Sequence, residues 1–363
     1  MSRDRAFLVI VQRKGIPKGF FEESLEELSE LTISAGGAVV GHVTASLERP
    51  TPNFYVSRDR ILSLKGKAQS VGANVLIFNV NLSPIQARNI EAETGIRPVD
   101  RTGLIIDIFA RRAQSRAGKL QVELAQLIYL LPRLVGYGVI MSRTGGGIGT
   151  RGPGEQKLEV DRRKIRERIV RVRRELEKLR MHQSLVRKHR QRKSFPLVAI
   201  VGYTNSGKST LLNALTNATA FVEDKLFATL DPTTRILSMG GKQNILLTDT
   251  VGFLTDLPHS LIEAFQATLD EVTEADVLVH VLDSANPARN VQHQAVCKVL
   301  EELKAHEKPI ALALNKTDLL DETQVRELTE QFSGAIPISA KHKLNLGSLV
   351  EQINVLIENK EYA

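Results

Sequence analysis

The chain has 363 residues, enough for two or three domains with hydrophobic cores of their own. Its 42% apolar and 25% charged residues exclude a disordered chain, Trp is absent, and no apolar run approaches the length of a membrane span. The formal net charge of +8 comes from one stretch: residues 151–193 hold 17 Lys and Arg against 6 Asp and Glu, a local net of +11 that leaves the remainder at −3.

The first element, AFLVIVQ (6–12), reads as a strand, and the apolar core of MSRDRAFLVIVQRKG is too short for a signal peptide. FFEESLEELSELTISAGG follows with helical spacing at Leu25, Leu28 and Leu31 and a Gly-Gly stop. AVVGHVTA and NVLIFNV are the next strands, and LSPIQARNIEAETG starts a helix with Ser83 as N-cap and Pro84 at its first position. Helices between strands predict an α/β domain over 1–100 with a mostly parallel sheet.

Residues 101–195 change character. Leu120, Leu124, Leu127, Leu131 and Leu134 are spaced 4, 3, 4 and 3 apart, and Ile165, Ile169, Val172, Leu176 and Leu179 repeat that spacing. Each is a narrow heptad seam, so the pair predicts a long antiparallel helical hairpin, with Pro132 kinking or ending its first helix. At 1.5 Å per residue the second helix reaches on the order of 50 Å. The basic excess lies on this arm. A solvated helix face is one account of it; a net of +11 exceeds what solubility needs, which favours a polyanion partner. Between the helices, the Gly-rich loop 143–154 matches neither the dinucleotide fingerprint nor a phosphate-binding loop. It reads either as a flexible turn or as a probe whose bare backbone approaches RNA. On the second reading Arg143, Gly146, Gly147, Arg151, Arg162, Arg163, Arg166 and Arg173 are the candidate RNA contacts.

From 196 to 363 the apolar runs LVAIV, ILL, VLVHVL, IALAL and IPI each precede a polar motif, the pattern of β-α units. Gly202-x-x-x-x-Gly207-Lys208-Ser209 between a strand and a helix is a P-loop: backbone amides of Tyr203, Thr204, Asn205, Ser206 and Gly207 curl around phosphates, Lys208 reaches the β/γ oxygens, and Ser209, with Thr210 behind it, opens the helix and can ligate Mg²⁺. Asp249-Thr250-Val251-Gly252 supplies a carboxylate that reaches Mg²⁺ through water and an amide that senses the γ-phosphate. Asn315-Lys316-Thr317-Asp318 carries a carboxylate that accepts two hydrogen bonds from guanine, and adenine offers no such donor pair. Ser339 and Ala340 stand where a backbone amide can meet guanine O6. Four such elements in this order predict a P-loop GTPase domain over 196–363, with a mixed, mostly parallel sheet and helices on both faces. Between P-loop and Asp249, Phe227, Ala228, Thr229, Leu230 and Asp231 occupy the place of a metal-sensing loop; Thr229 is the expected ligand, with Thr233 as competitor. Lys208, Asn205, Thr229 and Gly252 are the expected catalytic set. Phe253 stands where a water-orienting Gln is used elsewhere, so intrinsic hydrolysis is expected to be slow. Asn205 either helps hold K⁺ against the phosphates or stabilises the loop. Cys297, the sole cysteine, cannot form an internal disulfide and reads as a small core residue in a reducing cytoplasm.

At the level of whole strings, LSPIQARNIE, VDRTGLIIDIFARRA, GKLQVELAQL, GGGIGTRGPGEQKLEVDRR, GYTNSGKST, LFATLDPT, DTVGF and LPHSLIEAFQATLDEV resemble the HflX family of ribosome-associated GTPases. The resemblance implies an α/β core with a helical arm before the GTPase domain, and Mg²⁺ and GTP as cofactor and substrate. It also implies binding to the large (50S) ribosomal subunit and its rRNA, with the arm near the peptidyl-transferase region. In that family the GTP-bound protein separates stalled ribosomes into subunits. A GTP-gated assembly factor for the large subunit is the alternative, and a switch with a protein partner a third reading, which the basic arm argues against. The chain departs from the family pattern at 55–60, Asn79 and Pro132, reads as a short form without an additional C-terminal domain, and is expected to be a monomer.

Overall fold

Apolar runs bounded by Gly, Pro and Asn demand strands buried on both faces, and the computed structural model has them. It describes residues 4–13, 19–134, 153–191, 195–216, 227, 231–238, 244–254 and 259–361. The chain divides into two units, Met1–Arg111 with Lys119–Glu175, and Arg112–Gly118 with Leu176–Ala363.

In the first unit the order is β1 (Arg5–Arg13), α1 (Gly19–Ser34), β2 (Ala38–Leu47), α2 (Arg58–Ser70), β3 (Val75–Phe78), α3 (Pro84–Thr94), β4 (Arg97–Val99) and α4 (Arg101–Arg112). The four strands form a parallel sheet in the order β2-β1-β3-β4. Residues Ala6 to Val11 of β1 and Val75 to Phe78 of β3 are all buried, which is why these strands read as continuous apolar runs without alternation. Helix α3 starts as its sequence dictates: Ser83 and Gln86 form a reciprocal capping box, Pro84 opens the first turn, and Gly95 closes the helix at φ 72°. Helix α5 (Arg116–Arg133) ends one residue after Pro132, and α6 (Pro153–Gln191) is 39 residues long. Leu120 and Leu124 of α5 and Ile169, Val172 and Leu176 of α6 are buried along the heptad seams, and Arg168 forks onto Glu123 at 2.6 and 2.8 Å. Asp100, itself buried, accepts from Leu82 N, Gly103 N, the Tyr129 hydroxyl and the Arg133 guanidinium, so the end of α5 is fixed to the start of α4.

The second unit holds β5 (Leu197–Gly202), α7 (Lys208–Thr216), β6 (Thr233–Leu237), β7 (Ile245–Asp249), α8 (His259–Ala264), α9 (Gln266–Glu274), β8 (Val277–Asp283), α10 (Arg289–Glu302), β9 (Ile310–Asn315), α11 (Glu322–Gln331), β10 (Ile336–Pro337) and α12 (Leu346–Glu361). Its six-stranded sheet runs β10-β9-β8-β5-β7-β6, parallel throughout except for β6, which is antiparallel to β7. Val198, Ile200, Leu247, Val279 and Val281 pack on one face with Leu211 and Leu212 of α7 and Leu349 and Ile353 of α12. Leu282 and Leu314 pack on the other with Leu328 of α11. Arg180 in the C-terminal part of α6 forks onto Asp270 of α9 at 2.8 Å for both bonds. Cys297 is half-buried with Sγ 3.6 Å from His293 Nε2, and burial pushes its thiol pKa up, away from reactivity. Among the described residues, no helix is long and apolar enough to cross a membrane.

Candidate nucleotide site

The site lies at the carboxyl ends of β5, β7, β8 and β9, where a parallel sheet leaves a crevice above its strands. Residues 203–207 form the turn from β5 into α7. Two glycines make that turn possible. A Cβ on Gly202 would lie 2.3 Å from the Val281 carbonyl, and one on Gly207, at φ 97°, would lie 2.2 Å from Asn315 Nδ2. Asn205 sits in the left-handed region at φ 60°, which Asn tolerates better than most residues, so the backbone alone accounts for that residue type.

Lys208 is buried, and its Nζ donates to the Tyr203 carbonyl at 2.6 Å. Burial pushes its pKa down to about 8, with Asp249 opposing the shift and Lys316 adding to it. The hydroxyls of Thr204 and Ser206 are buried without a hydrogen-bond partner among the described residues. A desolvated ammonium and orphaned hydroxyls at a helix N-terminus fit a polyphosphate, whose oxygens would satisfy all of them. Ser209 Oγ donates to Asp249 Oδ2 at 2.5 Å, so the two residues expected to serve Mg²⁺ stand together. This oxygen-only pair at the phosphate end fits a hard divalent cation.

The Asp249-to-Gly252 segment is stitched onto the P-loop. Phe253 N donates to Gly202 O at 3.0 Å and Thr204 N to Phe253 O at 2.9 Å, while Thr250 Oγ1 donates to Ile200 O at 2.7 Å. A Cβ on Gly252 would lie 2.8 Å from Thr204 Cα and 3.0 Å from Lys208 Nζ, so this position has no room for a side chain. Val251 is buried, and the Phe253 ring is 1% exposed and serves the core.

At the base end, Asn315 acts as a brace. Its Nδ2 donates to Ser206 O at 2.8 Å and its Oδ1 accepts from Ala340 N at 2.9 Å, which links the phosphate loop to the Ser339-Ala340 turn. Thr317 Oγ1 and N both donate to Ile338 O. Lys316, at φ 66°, pairs with Asp283 at 2.7 Å. Asp318 lies in a short 3₁₀ turn with its carboxylate 3.5 Å from His342 Nε2. Asp283 went unnoticed in the sequence; a carboxylate ending the VLVHVLD strand beside this site was its only signal.

Phe227 is buried at φ 56°, whereas Ala228, Thr229 and Leu230 lie outside the described residues. Thr233, the competing metal ligand, is in β6 opposite Asp249. Asp231 directs its carboxylate to Gln114 and Ser115. Of the candidate RNA contacts, Arg163, Arg166 and Arg173 are at exposed positions of α6 and Arg162 is half-buried. Arg143, Gly146, Gly147 and Arg151 lie outside the described residues.

With this geometry in place, comparisons with known proteins decide the lineage. Three family descriptions match in tandem: a GTP-binding GTPase N-terminal region over 22–110, a GTP-binding GTPase middle region over 112–190, and a 50S ribosome-binding GTPase over 197–316. The GTPase HflX of Caldanaerobacter subterraneus subsp. tengcongensis is 48% identical over 353 residues, covering 97% of this chain and 81% of that protein. The chain belongs to the HflX family of GTPases. HflX of Escherichia coli is 45% identical over 304 residues, 84% of this chain and 71% of that one. Among solved structures, a GTP-binding protein from Sulfolobus solfataricus in complex with GDP matches with a TM-score of 0.50 and 27% identity, over 98% of this chain and 99% of the other. The HflX assignment makes GTP the substrate and hydrolysis to GDP and phosphate the reaction.

Proposed function

We propose that this chain is a Mg²⁺-dependent GTPase of the cytoplasm whose GTP-bound form engages the large ribosomal subunit through its basic arm and separates stalled ribosomes into subunits. The observation that carries the reading is the joining of a nucleotide site to a 39-residue helix whose exposed positions include Arg163, Arg166 and Arg173. A row of cations at 1.5 Å rise per residue matches a polyphosphate backbone better than it matches a protein surface. The similarity to proteins described as GTPase HflX and to a 50S ribosome-binding GTPase family points the same way.

In this reading Lys208 and the P-loop amides hold the β- and γ-phosphates, and the Gly252 amide registers the third phosphate. Mg²⁺ would be held by Ser209 and Thr229, and by Asp249 through water; when bound it neutralises charge on the β/γ oxygens. Phe253 is committed to the core, so no side chain at that position orients the attacking water, and turnover is slow until the ribosome supplies what is missing.

Asn205 leaves one catalytic question, which cation dependence answers. If its amide helps hold K⁺ against the phosphates, GTP turnover rises on the order of tenfold in K⁺ over Na⁺ and loses that dependence in Asn205→Ala. Equal turnover in both salts assigns Asn205 to the loop turn alone.

The test of the ribosomal role is light scattering of intact ribosomes mixed with the protein and a non-hydrolysable GTP analogue. Scattering should fall as ribosomes separate. Unchanged ribosomes, together with binding to precursor large subunits, would assign the chain to subunit assembly instead.

A further inference from the structure

The carboxylate of Asp231 belongs to the segment between P-loop and β6, yet it is bonded far away in sequence. Its Oδ2 accepts from Gln114 N at 3.1 Å and from Ser115 N at 2.9 Å, and its Oδ1 accepts from the Ser115 hydroxyl. Ser115 is the residue before α5, and its Oγ in turn accepts from Gly118 N, in the first turn of that helix, at 2.9 Å. One hydroxyl therefore caps the helix and donates to Asp231 at the same time. The anion meets the amides at the positive end of α5, where helix geometry favours it. The fit is close on the far side as well. A Cβ on Gly118 would lie 2.5 Å from Asp231 Oδ1, with Ser115 Oγ at 3.2 Å and Asp231 Cγ at 3.4 Å the next nearest atoms.

The other end of this segment lies beside Asp249. Two residues after Asp231, Thr233 pairs with Asp249 across the β6–β7 ladder, and Thr234 Oγ1 bonds Thr248 Oγ1 at 2.9 Å. Strand β6 is five residues long, stands at the sheet edge and has one neighbour, so it can shift at lower cost than any inner strand. The segment thus runs from the strand paired with Asp249, the expected Mg²⁺ carboxylate, at one end to the first turn of an arm helix at the other.

We propose that Asp231 is a positioning residue that transmits nucleotide state to the arm: the third phosphate draws on the segment leading into β6, and Asp231, through Ser115 and the first turn of α5, passes the displacement on. This rests on the reading that GTP alters how the arm engages ribosomal RNA, and it names the atoms that would carry the change. The tie is polar and partly exposed: three hydrogen bonds converge on the Asp231 carboxylate and a fourth carries Ser115 Oγ on to Gly118 N, the kind of contact that can be made and broken within a cycle.

Ser115→Ala removes the shared hydroxyl, Ser115→Thr keeps it, and Gly118→Ala drives a methyl group into Asp231. Alanine is a better helix former than glycine, so Gly118→Ala should not unfold α5. Neither Ser115 nor Gly118 belongs to the nucleotide site, so GTP and GDP affinity should be unchanged in all three. The first readout needs no ribosome: amide hydrogen exchange over residues 116–120 of the full chain, loaded with GDP or with a non-hydrolysable GTP analogue. The expected result is a nucleotide-dependent rate in the wild type and in Ser115→Thr, and a nucleotide-independent one in Ser115→Ala and Gly118→Ala. The second is the ratio of large-subunit affinities in the two nucleotide states, which should shrink about fivefold or more in the same two variants. Nucleotide-independent exchange in the wild type, or nucleotide-dependent exchange surviving in both uncoupling variants, overturns the proposal. Exchange that behaves as expected beside ribosome affinities that ignore nucleotide upholds the tie and removes the ribosomal reading.

Discussion

Asp318→Asn is expected to weaken GTP binding on the order of a thousandfold and to shift the base preference toward xanthine. The carboxylate at 318 can accept from both N1–H and the 2-amino group of guanine, and both bonds are charge-assisted. An asparagine keeps one acceptor and turns a donor toward a donor. The lost charge-assisted bond and the stranded guanine amino group together cost about 4 kcal/mol. Xanthine carries a carbonyl where guanine carries its amino group, so the amide introduced by the substitution would complement it, and XTP affinity should rise as GTP affinity falls. The fold should tolerate the change: Asp318 sits in a 3₁₀ turn at the rim, and its carboxylate lies 3.5 Å from Nε2 of the exposed His342. Asn315 is less suited to the same purpose, because its amide braces Ser206 and Ala340 and its loss would disturb the phosphate loop too. Competition of GTP, ATP and XTP against a fluorescent guanine nucleotide measures the effect. A variant that binds GTP as the wild type does would place the base somewhere other than against Asp318.

The nucleotide-free protein is expected to lose stability steeply below neutral pH because of one buried imidazole. His280 lies on β8, 2% exposed, with its ring stacked on that of His293 at 5.0 Å and an interplanar angle of 6°. Its Nε2 is buried without a hydrogen-bond partner among the described residues. Burial pushes its pKa down to about 3, and the nearby His293 and Lys208 add to the shift. The folded chain therefore keeps His280 neutral from neutral pH down to about 3, while the unfolded chain takes up a proton near 6.5. Between those values the unfolded state binds more protons, so stability is full above about 6.5 and falls as pH drops. The rate is a little over ~1 kcal/mol per pH unit, on the order of 5 kcal/mol over the whole window. His293, whose pKa burial also lowers, adds in the same direction. Urea unfolding at pH 7, 6 and 5 of the wild type and of His280→Leu gives the test. The leucine variant should release about one proton's worth of the slope. Parallel pH profiles would show that His280 contributes nothing to acid sensitivity.

What the sequence made legible follows from range. The P-loop, the Asp249 and Asn315 motifs and the Ser83 capping box are local: every atom they need lies within a few residues, so residue type and spacing suffice. Inner strands β1, β3, β5, β8 and β9 declare themselves because burial on both faces requires unbroken apolar runs. Strand β6, by contrast, is TTRIL, and only its ladder to β7 makes it a strand. Strand β4 is three residues containing Pro98 and exists by pairing with β3. The polar ties were equally hidden. Arg168–Glu123, Arg180–Asp270 and Asp231–Ser115 join residues 45, 90 and 116 positions apart, and each partner alone reads as an ordinary solvated side chain. Asn205 shows the reverse: its residue type suggested cation chemistry, and its left-handed backbone supplies a second sufficient reason.

A coupling between the third phosphate and the grip of a cationic helix on RNA underlies the proposed function. Sedimentation of the protein with purified large subunits, run nucleotide-free, with GDP and with a non-hydrolysable GTP analogue at one fixed salt concentration, reads that coupling directly. Most of the protein is expected in the pellet with the analogue, and little with GDP or without nucleotide. Equal pelleting in all three would contradict the coupling.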